Sequence, residues 1–170
     1  MPVFKVVTRH SVPYQGGIPE KKYHDSDAVR NVLRYVLDDK KTDRGLYGGF
    51  SANPEIAADQ FEIVARNFGK NFGTHLRHMV MSFGEEEYVD VHTAKCIAYQ
   101  IAEYYADDYQ IVYAVHTDAK HINIHFVMNT VSYRTGKKYG GDRADYHRFI
   151  GHMWSVLKDY GLSLKEEREF

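Results

Sequence analysis

The stretch HTDAKHINIHFVMN, residues 116–129, sets an apolar side chain at every second place, Ile122, Ile124, Phe126 and Met128, between His121, Asn123, His125 and Asn129. Successive side chains of a strand point to opposite faces, so the apolar set enters a core while His121, Asn123, His125, Val127 and Asn129 share the other face. Just upstream, QIVYAVH (110–116) is a second apolar run, and the short polar loop 117–120 between the two predicts a hairpin. His116 then points to the same face as Asn123 and His125, with Asp118 close behind it in the loop.

Working outward, VFKVVT (3–8) reads as a first strand and SVPYQGGIPE (11–20) as a turn-rich loop. A helix begins near Ser26, with Val29, Val32, Leu33, Val36 and Leu37 as its buried stripe. Tyr35 lies about 120° off that stripe at about 100° per residue. Asn53 before Pro54 starts a second helix, whose Ala57, Phe61, Val64 and Phe68 hold one face until Gly69. HLRHMVMSF (75–83) reads as a strand with Leu76, His78, Val80 and Ser82 on one side. A third helix, 91–106, carries Ala94, Ile97, Ile101 and Tyr105 inward. After the hairpin come a Gly-rich basic loop, 134–142, and a last helix burying Tyr146, Phe149, Ile150, Met153, Leu157 and Tyr160 before Gly161. This order, β α α β α β β α with one adjacent strand pair, predicts an α+β fold: helices packed on a mostly antiparallel sheet of about five strands.

The chain of 170 residues, 44% hydrophobic, is the size of one domain with a real core, and no linker divides it. One domain over 1–170 is expected. No run is long enough for a membrane span, so membrane insertion is not expected and a cytoplasmic place is. A single Cys96 excludes an internal disulfide and a thiolate zinc cage. The net charge of -1 announces no nucleic-acid partner by itself, yet Lys40 and Lys41 near the start and Arg134, Lys137, Lys138 and Arg143 near the end form local basic groups.

Neighbouring same-face residues on a strand lie roughly 6.6 Å apart, close enough for two side chains to reach one ion. His121 and His125 are twice as far apart, so the best set is His116 with Asn123 and His125. Asp118 could accept a proton from the free nitrogen of a ligand imidazole and so fix its tautomer. Against this stands a solvated polar face on an amphipathic strand, the usual meaning of a single such histidine.

The same stretch resembles the third motif of conjugative relaxases, mobilization nucleases of the HUH endonuclease class: His-x-Asp-x-x-His-x-His-x-His-x-x-x-Asn. His116, Asp118, His121, His125 and Asn129 match, and Asn123 stands where the family usually has the first histidine of its HUH pair. LRYVLDDKKTD (33–43) resembles the first motif, whose nucleophilic tyrosine would be Tyr35. HMVMSFGEEE (78–87) resembles the second, in which Ser82 would help hold DNA near the broken phosphate. TGKKYGGDR resembles the family's basic segment.

The resemblance, over roughly residues 30–162, implies an HUH palm, or ferredoxin-like, architecture. It also implies metal-assisted nicking and rejoining of DNA through a 5'-phosphotyrosyl link to Tyr35, with magnesium or manganese as the cation. Asp118 and His121 are its candidates for proton handling, and Ser82, Lys40, Lys41, Arg134, Lys137, Lys138 and Arg143 for contact with DNA. The implied partners are single-stranded DNA at a transfer origin, an accessory relaxosome protein and a type IV secretion coupling protein in a bacterial cytoplasm, with 1–170 the N-terminal part of a longer protein. Three alternatives stay open. They are a rolling-circle replication initiator of the same class, a metal hydrolase without a covalent intermediate, and a degenerate module that binds single-stranded DNA without cutting it.

Overall fold

The computed structural model describes residues 1–7 and 23–166. The expected loop at 11–20 and the end of the first expected strand, at Thr8, lie outside the described residues. Among the described residues six strands make one sheet: β1 (Val3–Val6), β2 (Tyr47–Phe50), β3 (Leu76–Ser82), β4 (Ile111–His116), β5 (Asn123–Asn129) and β6 (Lys165–Glu166). Their spatial order is β2-β4-β5-β3-β1-β6, antiparallel except for the two-residue parallel pairing of β6 with β1. The α+β expectation therefore holds, with five antiparallel strands; β2 and β6 are additions that the periodicity did not signal.

Four helices cover this sheet, α1 (Ala28–Val36), α2 (Ala57–Asn67), α3 (Val91–Ala102) and α4 (Arg143–Asp159). Asn53 accepts from the N–H of Glu55 and opens a 3-10 turn, Pro54–Ile56, that runs into α2. Asp90 and Asp142 cap α3 and α4 in the same way, through Thr93 N–H and Asp145 N–H. On one face Phe4, Met79, Met81, Tyr113, Val115, Ile124, Phe126 and Met128 pack against Ile97 and Ile101 of α3 and Phe149, Met153 and Leu157 of α4. Each fully buried side chain of this size stabilises the fold by about 1.5–3 kcal/mol relative to an exposed one. On the opposite face Leu76, Val112, Ala114 and Val127 meet Leu33 and Val36 of α1 and Ala57 and Phe61 of α2.

Several boundaries move. β5 begins at Asn123, so His121 lies in the bend before the strand. In α2 the inward residues are Ala57, Phe61 and Ala65; Phe68 caps the helix and is exposed, and Val64 is half-buried. The second face of β5 is not a solvated polar face, because α1 and α2 cover it. There Asn129 is a structural amide: its nitrogen donates to Gln110 Oε1 at 2.9 Å and to the Phe61 carbonyl at 3.3 Å, and its oxygen accepts from Val131 N–H at 3.2 Å.

Candidate active site

Strand register decides which polar groups meet. Ser82 of β3, Asn123 of β5 and His116 of β4 lie opposite one another in one row across the sheet, and Val80, His125 and Ala114 form the next. His78 stands one row further, opposite Val127. Side-chain parity puts all of them on the face that α1 and α2 cover. Three imidazoles from three adjacent strands thus run obliquely across it: the rings of His116 and His125 are 4.0 Å apart at 30°, and those of His125 and His78 are 5.2 Å apart at 31°.

Helix α1 ends above this line. Leu33 and Val36 point down onto the sheet, so Tyr35 turns to the side and is 48% exposed. Its ring stands edge-on to both His116 and His125, at 5.8 Å from each centroid. The last carbonyls of a helix lack intrahelical partners. His116 Nε2 satisfies one of them, donating to the Val36 carbonyl at 2.7 Å. That bond ties the Tyr35-bearing helix to β4 and leaves His116 Nδ1 as the nitrogen with the lone pair.

Burial governs the charges of these groups. His116 is 2% and His125 7% exposed. Desolvation lowers the pKa of His116, and for His125, with added repulsion from His116 and His78, it is pushed down to about 2. Both rings are therefore neutral near pH 7, the form in which imidazole ligates a metal. Asn123, in register with His116, adds an amide whose nitrogen donates to the His121 carbonyl at 3.5 Å. Among the described residues no three His, Cys, Asp or Glu side chains are grouped to hold one ion. Two neutral imidazoles and one amide fit a divalent cation as a partial shell that phosphate oxygens and water would complete.

The remaining candidates divide between the two ends of the sheet. Lys41 Nζ pairs with Asp118 Oδ2 at 3.1 Å and lies 5.0 Å over the Tyr35 ring. The hydrogen bond from Lys41 holds the Asp118 carboxyl below the usual range and raises Lys41 in turn. A backbone bond from Thr117 N–H to the Lys41 carbonyl, 2.9 Å, fixes the two loops together. Lys40 is exposed beside them. His121 reaches Glu85 Oε1 at 4.0 Å and Ser82 is half-buried at the end of β3.

Arg134, Lys137, Lys138 and Arg143 instead follow Asn129, four residues beyond His125, which is about 13 Å along the strand at about 3.3 Å per residue. Arg134 pairs with Asp108 at 2.8 Å, and Lys138 donates to the carbonyls of Phe72 and Thr74. Lys137 and Arg143 are exposed.

His78 and Tyr23 were not among the candidate site residues. His78 Nε2 and His125 Nδ1 share a hydrogen bond of 2.9 Å, and Tyr23 Oη lies 3.3 Å from His78 Nδ1. Alternation had put His78 on one side of its strand with Ser82, but only the β3–β5 register shows that this side is the one carrying His125.

A family model described as relaxase, MobA/VirD2-like, nuclease domain matches residues 35–162. Two proteins named Protein rlx, both from Staphylococcus aureus, are 26% identical over 118 residues and 25% identical over 114. These matches cover 69% and 67% of this chain but only 37% and 34% of the relatives, so the chain spans about a third of their length. Because the family model takes in well over half of the chain, from Tyr35 through the histidine strand to the end of α4, the protein belongs to the relaxase family, as a MobA/VirD2-like nuclease domain.

Proposed function

We propose that the domain nicks one strand of DNA at a transfer origin and later rejoins it, by tyrosine transesterification, in the transfer or mobilization of a plasmid or integrative element. The observation that carries this reading is the Tyr35 ring, half exposed and edge-on to both His116 and His125 at 5.8 Å. A phenol so placed can reach a strand arriving from solvent while its neighbours stay dry. In the cleavage step Tyr35 Oη attacks phosphorus, the P–O bond to the 3'-oxygen breaks, and a 5'-phosphotyrosyl link forms. The phenolic proton leaves and the 3'-oxygen takes one up, so the exchange is balanced and reversible without a nucleotide.

His116, Asn123 and His125 are the groups that would hold the cation. A divalent ion there, magnesium or manganese, would polarise the scissile phosphate and offset charge building on its oxygens. Lys41 lies over the Tyr35 ring, where its charge can also meet that of an incoming phosphate; Asp118 keeps it there. Asp118 and His121 are the groups within the motif able to move the phenolic proton. Ser82, in one row with Asn123 and His116, would contact the phosphate, and Lys40 and Lys41 the strand beside it. Arg134, Lys137, Lys138 and Arg143 would bind DNA at the other end of the sheet. An accessory relaxosome protein and a secretion coupling protein, in the bacterial cytoplasm, complete the proposal. Among the described residues no helix is long and apolar enough to cross a membrane.

The test is a nicking assay on supercoiled plasmid carrying the cognate origin, with manganese or magnesium. The wild type leaves a nicked circle with protein attached to its 5' end, seen on denaturing gels. Tyr35→Phe loses the attachment and lowers nicking by roughly 10^3-fold or more, as removal of an enzymic nucleophile does. A Tyr35→Phe variant that still forms the adduct contradicts the assignment. Asn123 in place of a histidine favours one second reading, a module that binds single-stranded DNA without cutting; bound but intact DNA with either metal would establish it.

A further inference from the structure

We propose that His78, braced by Tyr23, is a positioning residue that fixes the tautomer of His125, with the proton on Nδ1 and the lone pair on Nε2. The inference rests on the reading above, that His125 gives a lone pair to a cation. A neutral imidazole has one N–H and one acceptor nitrogen, so committing either nitrogen defines the other. His116 is already committed: its Nε2 must donate to the Val36 carbonyl, which cannot donate in return. Among the described residues no carbonyl hydrogen-bonds to a ring nitrogen of His125. Its Nδ1 instead meets His78 Nε2 at 2.9 Å, and His78 Nδ1 meets the Tyr23 hydroxyl at 3.3 Å.

Such a chain has two senses. If Tyr23 donates inward, every ring passes the polarity on and His125 ends with a proton on Nε2, which could not ligate. If His125 Nδ1–H donates to His78 Nε2, then His78 carries its own proton on Nδ1 and gives it to the Tyr23 oxygen. His125 Nε2 is then an acceptor, like His116 Nδ1, and the two stacked rings, 4.0 Å apart, offer two lone pairs to one centre. Tyr23 is held in a defined place. It has φ of 64°, a left-handed conformation that a bulky residue adopts only when its surroundings hold it there, and its carbonyl accepts from His75 N–H at 2.9 Å. Outer partners of ligand imidazoles orient the ring and raise its basicity, which is the part His78 takes here.

The experiment has two arms. Long-range 1H–15N spectra of the metal-free protein read the tautomer of His125 directly, and calorimetric titration with manganese reads affinity. In the wild type, His125 is protonated on Nδ1. His78→Leu weakens manganese by roughly 10–100-fold and moves His125 toward the Nε2-protonated form. His78→Gln, whose amide oxygen can accept from Nδ1–H, restores both to near the wild type, and Tyr23→Phe gives a smaller loss in the same direction. A wild-type His125 protonated on Nε2 overturns the proposal, as does His78→Leu binding manganese like the wild type. If the wild type takes up no manganese, the cation reading fails, while the tautomer spectrum still decides the part of His78. Should thermal melting show His78→Leu unfolded, His78→Gln and Tyr23→Phe carry the comparison.

Discussion

The Tyr35 phenol is half exposed while the His116 and His125 imidazoles are buried, and one residue of helix phase separates them: Val36 goes down and Tyr35 turns out. The buried histidines leave a mark on stability. In the unfolded chain they titrate near 6.5, whereas burial pushes folded His125 down to about 2 and lowers His116 as well. Between these values the unfolded state binds more protons, so the stability they contribute is fully present above about pH 6.5 and is lost as pH falls. For the metal-free protein we expect His125 to cost roughly 2 kcal/mol between pH 7 and 5, with His116 adding in the same direction, read from urea midpoints; His125→Leu flattens that dependence. Asn123 sets the second expectation at this scale: Asn123→His adds a third imidazole in register with His116 and tightens manganese at least about tenfold by calorimetry, since an imidazole outbids an amide oxygen for such metals. Unchanged affinity would mean that position 123 does not face the ion. The motifs name Tyr35, His116 and His125, and the fold brings these three together. His78 was not legible, because its meaning depends on which strand lies beside its own, and alternation carries parity without register.

Elements with long, clean periodicity were read correctly in kind: α1, α3, α4 and the β4–β5 hairpin follow their apolar spacing, with boundaries shifted by a few residues. β2 was missed for a physical reason. Its sequence, Tyr47-Gly48-Gly49-Phe50, has no alternation and carries two residues that disfavour strands. The glycines are there because the neighbours come too close for side chains: a Cβ at Gly48 would strike the Tyr113 hydroxyl, and one at Gly49 the Ala52 backbone carbonyl. The first obstacle is the end of a flexible side chain and the second is backbone. Gly49→Ala should therefore destabilise by about 1–3 kcal/mol in urea unfolding and Gly48→Ala by less, and equal losses would argue against this packing. β6, two residues long and parallel to β1, is defined by tertiary pairing alone and has no local signal. In α2 the spacing extended the apolar face to Phe68, but the helix ends at Asn67 and the Phe68 ring packs beside Gly136.

At the scale of the molecule the sheet separates two polar ends. The Tyr35 end carries Lys40 and Lys41; the other carries Arg134, Lys137, Lys138 and Arg143, on a chain whose net charge is only -1. If the second group holds DNA away from the break, Lys137→Ala with Arg143→Ala should weaken DNA binding evenly across sequences. The salt dependence should fall by about one unit of slope per lost phosphate contact, with the cleavage rate at saturating DNA unchanged. A lower rate at saturation would place these residues at the chemistry instead. The α+β class and its antiparallel sheet were legible from element order, because short loops between apolar runs leave few ways to pair them. The convergence of α1 with β3, β4 and β5 was not, since it depends on which face each helix covers. The most direct test of the account is peptide mapping by mass spectrometry after incubating the protein with manganese and a single-stranded oligonucleotide carrying the cognate nick. The peptide containing Tyr35 is expected to gain the mass of the 5'-phosphorylated fragment less one water, and a gain on any other tyrosine would contradict the assignment.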